Sequence, residues 1–102
     1  MKEDKILVVI KEPGKPPRVE PMFENTLEAF QKAVGGYIGT VTIATDLILV
    51  CNEEGLLLDL PFNLNVCGVG FHGTVIAVGS KGEEFALLKA QNVPFVLKMM
   101  GG

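Results

Sequence analysis

Five apolar residues in a row, Ile6-Leu7-Val8-Val9-Ile10, stand between Lys5 and Lys11. A strand with one wet face alternates apolar and polar residues, because successive side chains point to opposite sides of the sheet. A run without alternation is covered on both faces. The run therefore predicts a central strand with material on either side of its sheet. In a chain of 102 residues, that material must come from one small domain, residues 1–102.

The rest of the chain supplies elements for such a sheet. Glu12-Pro13-Gly14-Lys15-Pro16-Pro17 is a turn-forming loop. Arg18-Val19-Glu20 predicts a short edge strand that Pro21 blocks. Asn25-Thr26-Leu27-Glu28 has the spacing of a capping box, with Asn25 as the cap. Leu27, Phe30, Ala33 and Val34 then recur at helical spacing up to Gly35, a C-terminal glycine. A helix over residues 26–34 follows. Residues 37–44 and 47–51 predict two strands joined at Thr45-Asp46. Asn52-Glu53-Glu54-Gly55 predicts a turn leading into a strand at Leu56-Leu57-Leu58, broken at Pro61-Phe62-Asn63. Residues 75–78 predict another strand, paired through Ser80-Lys81-Gly82 with Phe85-Ala86-Leu87-Leu88. Asn92 and Pro94 predict the start of a short C-terminal helix with Phe95, Met99 and Val96 toward the core. The expected fold class is α+β: a mostly antiparallel sheet of about five to six strands, one well-defined helix packed on it and a short C-terminal helix.

Composition excludes several functions. The net charge is -3, and the only local basic cluster is Lys11, Lys15 and Arg18. Double-stranded nucleic acid rewards dense Lys and Arg, so it is not an expected partner. No apolar stretch approaches the ~20 residues of a membrane helix, so no membrane partner is expected. The N-terminus lacks a long apolar segment and a small-residue cleavage site, so a cytoplasmic location with reduced thiols is expected. His72, Ser80 and Arg18 are each the sole residue of their kind. Ser80 lies in a Gly-Ser-Lys-Gly turn, so a catalytic triad is not expected. Cys51 and Cys67 are too widely spaced for a zinc motif. No cofactor, no metal and no catalytic residue is expected.

Gly68-Val69-Gly70-Phe71-His72-Gly73 matches G-x-G-x-x-G. The dinucleotide fingerprint requires a helix at the third glycine. Thr74-Val75-Ile76-Ala77-Val78 is strand-like instead, so this loop is a turn or bulge that can at most offer backbone amides to an anion. Gly36-Tyr37-Ile38-Gly39 lacks the flanking bases of a nucleic-acid clamp.

Between Lys32 and Lys81 there is no Lys or Arg, only Asp46, Glu53, Glu54 and Asp59. The strands of this span carry more apolar residues than one small core needs. Large apolar patches are rare on monomers, so a sheet face or edge buried against a second copy is expected.

Several segments, in order, resemble a known family: Ile10-Lys11-Glu12-Pro13-Gly14-Lys15, Val34-Gly35-Gly36-Tyr37-Ile38, Leu49-Val50-Cys51-Asn52-Glu53-Glu54-Gly55, Leu60-Pro61-Phe62-Asn63 and Gly73-Thr74-Val75-Ile76-Ala77-Val78-Gly79. The family is DUF3846, small proteins of phages, mobile elements and Gram-positive bacteria. The resemblance covers residues 6–88 and departs at Gln91-Asn92-Val93-Pro94. It implies an origin on a phage or mobile element, hence the cytoplasm of a host cell. It carries over no functional residues.

The functional expectation is a non-catalytic binding protein, used in counter-defence, that sequesters a small anionic or nucleotide-like ligand at a homo-oligomer interface. Tyr37 would stack, Asn52 and Asn63 would make polar contacts, and Arg18, Gly70 and His72 would face an anionic group. The alternative is an inhibitor or adaptor that meets a host protein through an acidic face or an exposed edge strand.

Overall fold

The computed structural model describes residues 4–82 and 84–101. Eight strands and two helices follow in the order β1 Lys5–Lys11, β2 Arg18–Glu24, α1 Leu27–Val34, β3 Ile38–Ala44, β4 Leu47–Asn52, β5 Phe62–Val66, β6 Val69–His72, β7 Val75–Lys81, β8 Glu84–Ala86 and α2 Val93–Met99. A six-stranded antiparallel sheet has the order β2-β1-β7-β4-β3, with β8 paired to β7. The fold class is α+β, as the sequence implied. A separate β5-β6 hairpin, which the sequence reading did not contain, adds a second small sheet.

Both faces of β1 are covered. Ile6, Val8 and Ile10 pack with Val50, Ile76 and Val78 beneath Phe30 and Val34 of α1. Val9, Leu47, Leu49, Val75 and Ala77 pack on the other side with Val96, Met100 and two hairpin residues, Val66 and Phe71. Alternate residues of each strand thus feed two different cores. The second layer combines α2 with the hairpin because α2 spans only seven residues, about 10 Å at 1.5 Å per residue.

Local chemistry revises several boundaries. Thr26, not Asn25, caps α1: its hydroxyl accepts from the Ala29 amide at 3.1 Å. Asn25 is buried, and its side-chain amide donates to the Phe85 carbonyl at 3.1 Å. Gly35 ends the helix at φ 82°, as expected of a C-terminal glycine. Strand β2 runs through Pro21 to Glu24, because Pro21 and Met22 together oppose Leu7 in a bulge. A bulge on an edge strand tolerates a residue without an N–H. A single 3-10 turn at Ala90–Asn92 leads into α2, and the Asn92 side chain makes no capping bond. Val96 and Met100 fill the core, while Phe95 is 56% exposed. Of the expected core-facing residues, Val96 is buried and Met99 packs against the core, and only Phe95 points out.

Leu56, Leu57 and Leu58 do not form a strand. They lie in a run of turns between β4 and β5. The Leu58 amide donates to the Glu54 carbonyl at 2.8 Å and the Leu60 amide to the Gly55 carbonyl at 3.0 Å, so the segment curls on itself. Phe62-Asn63, expected to break a strand, instead begins β5.

Candidate functional site

The sequence-nominated residues fall into two separate groups. Tyr37 precedes β3 and is 67% exposed. Its carbonyl accepts from the Glu53 amide at 2.9 Å, which seats it beside the end of β4. Asn52 sits opposite Ile38 in the β3-β4 ladder and is buried. Its side-chain amide donates to the Val34 carbonyl at 3.1 Å, and its Oδ1 accepts from the Glu54 amide at 2.8 Å. Asn52 thereby joins the last turn of α1 to the turn after β4, satisfying a carbonyl that a helix end leaves without an intrahelical partner.

The second group lies about the β5-β6 hairpin and the loop between β1 and β2. The Asn63 amide donates to the carbonyls of Lys11 and Gly73, each at 2.8 Å, and its Oδ1 accepts from Lys11 Nζ at 2.9 Å. These bonds pin the β5-β6 hairpin to β1. Arg18 Nη1 lies 2.7 Å from Glu12 Oε1, and Lys15 Nζ lies 3.9 Å from the same oxygen. Glu12 thus offsets part of the local basic cluster. His72 ends β6, with Nδ1 donating to the Leu60 carbonyl at 3.2 Å and the ring edge-on to Phe62. Gly70 lies within β6, where a Cβ would stand 3.1 Å from Asn65 Oδ1. The preceding turn, Cys67 at φ 51° and Gly68 at φ 80°, connects two strands and opens no helix. That is the hairpin geometry in which both central residues have positive φ.

The concave surfaces are modest. A cleft of about 250 Å³ next to the Phe23, Phe30 and Phe85 cluster contains none of the nominated residues. An open groove at Tyr37 is lined by Gln31, Gly35, Gly36, Glu54 and Leu58. That groove, about 330 Å³, and an open one of about 370 Å³ between Lys15, Lys32, Leu60 and Gly73 reach the 300–1,000 Å³ of drug-sized ligand sites but are too open to bury most of a ligand. Among the described residues, no three His, Cys, Asp or Glu side chains gather as metal ligands would, and no helix is long and apolar enough to cross a membrane.

Two features stand out beside Tyr37, the first missed by the sequence reading. One is the leucine loop. Leu56, Leu57 and Leu58 are 74%, 85% and 54% exposed, and Glu53, Glu54 and Asp59 around them are exposed as well. The loop is held in place. Gly55 is buried where a Cβ would stand 2.6 Å from the His72 carbonyl, and the Gly73 amide donates to the Pro61 carbonyl at 2.8 Å. The other feature is the outer side of β3, which no strand among the described residues pairs with. A signal for the first was present in the sequence: three leucines between Glu53-Glu54 and Asp59, closed by Pro61, form a short run with turn chemistry at both ends.

Two ionisable groups near β3 are perturbed. Burial pushes the Cys51 thiol up, and the Glu53 carboxylate adds to the shift. Hydrogen bonding from Lys89, whose Nζ is 3.2 Å away, holds the Asp46 carboxyl below its ordinary value. Neither group adjoins a second perturbed one that would form an acid–base pair.

The chain matches the family described as "Domain of unknown function (DUF3846)" over residues 4–100, and it belongs to that family. The match runs through α2, beyond the segments that carried the resemblance. No curated protein and no solved structure matches the chain.

Proposed function

We propose that this DUF3846 protein is a non-catalytic inhibitor or adaptor, carried by a phage or mobile element, that docks on a host protein in the cytoplasm. The observation that carries this reading is the leucine loop: three consecutive exposed leucines on a pinned segment, rimmed by three exposed carboxylates. Exposed apolar patches with polar rims are typical of interaction surfaces. The rim selects the partner's chemistry. With Glu53, Glu54 and Asp59 exposed around it, the loop favours an apolar segment flanked by basic residues and repels other acidic surfaces. An anionic membrane would offer apolar depth but the wrong charge.

Burying one leucine fully stabilises a complex by about 2 kcal/mol. Leu57→Asp should therefore weaken partner binding on the order of thirtyfold or more, without unfolding the protein, since Leu57 is 85% exposed. The test is to purify tagged wild type and Leu57→Asp from host cells and quantify bound proteins by mass spectrometry. A stoichiometric host protein held by wild type, lost from the variant and weakened by salt is the expected outcome. Native mass spectrometry after incubation with a metabolite extract tests the other reading. A bound mass of several hundred daltons, lost in Tyr37→Ala while Leu57→Asp retains it, would return the protein to small-ligand sequestration.

A further inference from the structure

Strand β3 leaves strong interactions unmade along its outer side. The Glu53 amide bonds to the Tyr37 carbonyl, and the register pairs Gly39 with Cys51 and Val41 with Leu49. In an antiparallel ladder, residues whose backbone groups face the partner alternate with residues whose groups face away. The N–H and C=O groups of Ile38, Thr40 and Thr42 therefore face away from β4. Thr40 and Thr42 are also exposed. Residues 35–45 contain no charge and no proline, and the one irregularity of the strand falls between Thr42 and Ala44, so the stretch Ile38 to Thr42 carries none of the usual guards against pairing.

We propose that a second copy of this chain occupies this edge, its β3 antiparallel to the first, with Thr40 facing Thr40 across a twofold axis. Register argues for this arrangement. Only three residues present outward groups, and they are centred on Thr40. Pairing about Thr40 sets Ile38 against Thr42 of the other copy and satisfies every one of those groups at once; any shifted register leaves some unmade. Charge argues for a second copy in particular. A twofold edge sets the residue on the axis directly against itself and brings its neighbours close to the same short stretch, so a charge on the axis would meet a like charge. The absence of charge over residues 35–45 is what self-pairing requires. Side-chain shape agrees: the same register places Gly39 opposite Val41 and brings the exposed Tyr37 toward Ile43 of the other copy. The opposite sheet edge is guarded, so addition stops at two.

This inference rests on β3 alone and stands apart from the reading of the leucine loop. If both hold, the two loops lie at opposite ends of the joined strands. The Tyr37 residues beside them are then separated by about 20 Å along the strand direction, at ~3.4 Å per residue.

Thr40 on the axis allows a charge-swap test. Wild type, Thr40→Lys, Thr40→Glu and an equimolar mixture of the two variants would be compared by sedimentation velocity and native mass spectrometry. Circular dichroism would establish that each is folded. Wild type is expected at twice the 11.0 kDa chain mass. Each variant alone is expected as a monomer, its self-association weakened on the order of a hundredfold by the like charges. The mixture should restore a dimer holding one chain of each kind. A monomeric wild type overturns the proposal. So does a Thr40→Lys variant that remains dimeric, or a mixture of folded variants that stays monomeric. None of these outcomes bears on capture of a host protein through Leu57.

Discussion

The two edges of the main sheet are built in opposite ways. At one edge, β2 carries Arg18, Glu20 and Glu24, and a bulge at Pro21 and Met22 interrupts its ladder. Arg18 is further tied to Glu12 at 2.7 Å and Lys5 to Glu24 at 3.9 Å. At the other edge, β3 is uncharged, without proline and rich in threonine and β-branched residues, and its one ladder irregularity lies at the far end, between Thr42 and Ala44. Both strands are equally terminal in the sheet, so their position does not explain the contrast. A chain that blocks one edge and leaves the other bare directs strand addition to one side.

The largest effect should come from making the edges alike. Glu20→Val, Pro21→Thr and Glu24→Thr together would remove the guard from β2. A chain with two bare edges can add a neighbour on each side and grow into an open assembly. Light scattering is expected to rise with concentration and time in the triple variant and to stay flat in wild type. A variant that remains a discrete species would show that the bulge geometry, and not the charges and proline, protects β2.

What was legible in the sequence follows the same division between strong and weak local signals. The unbroken run Ile6 to Ile10 predicted a strand covered on both faces, and its side chains do divide between two cores. The β3-β4 hairpin, the β7-β8 return and the glycine end of α1 were equally readable, because turn residues and periodicity agree there. The β5-β6 hairpin was missed although Leu64 and Val66 alternate with Asn63 and Asn65. Its asparagines and glycines lower strand propensity, and tertiary packing of Val66 and Phe71 overrides that. Leu56 to Leu58 failed in the opposite direction, an apolar run placed outside the core. The nominated asparagines show a further limit. Which groups an amide side chain bonds depends on distant chain: Asn63 reaches Lys11, 52 positions away, and no local pattern records that.

Those two asparagines sharpen the comparison, since each supports one half of the sheet. Asn52→Ala would leave the Val34 carbonyl and Glu54 amide without their partners at a buried position beside the bare edge. A loss of about 2–3 kcal/mol is expected from unsatisfied buried groups. Asn63→Ala removes three bonds at a half-buried position near the guarded half. Water can replace part of these, so about 1–2 kcal/mol is expected. Urea midpoints measure both. Equal losses would mean that the bare edge depends no more on its buried support than the guarded half does.

Cysteine reactivity offers a smaller, kinetic contrast. Cys51 lies on β4 beneath the bare edge, its Sγ donating to the Gly39 carbonyl at 3.7 Å, while Cys67 is exposed in the hairpin turn. The thiolate is the reactive form, and burial disfavours it at Cys51. Iodoacetamide at mildly alkaline pH should modify Cys67 first, faster by on the order of tenfold or more. Peptide mass mapping reads the order. A rise in the Cys51 rate in Thr40→Lys would reveal cover that the paired edge supplies in wild type.

The smallest effect concerns the turn that closes the bare edge. Asp46 lies in the turn after β3, next to Thr45, and pairs with Lys89, which holds its carboxyl below the ordinary value. A carboxyl group whose pKa is lower in the folded state binds fewer protons there than in the unfolded chain. Its stabilisation is therefore complete above the unfolded pKa and is lost as pH falls through the folded one. Asp46→Asn should lower the urea midpoint slightly at neutral pH. The gap from wild type should close as the solution is acidified below the usual carboxylate range. High salt should narrow the same gap at neutral pH, because the pair is solvent-accessible and screened. A gap that persists in acid would mean that Asp46 shapes the β3-β4 turn through its backbone geometry and not through its charge. The end of the bare edge would then be set by the turn alone.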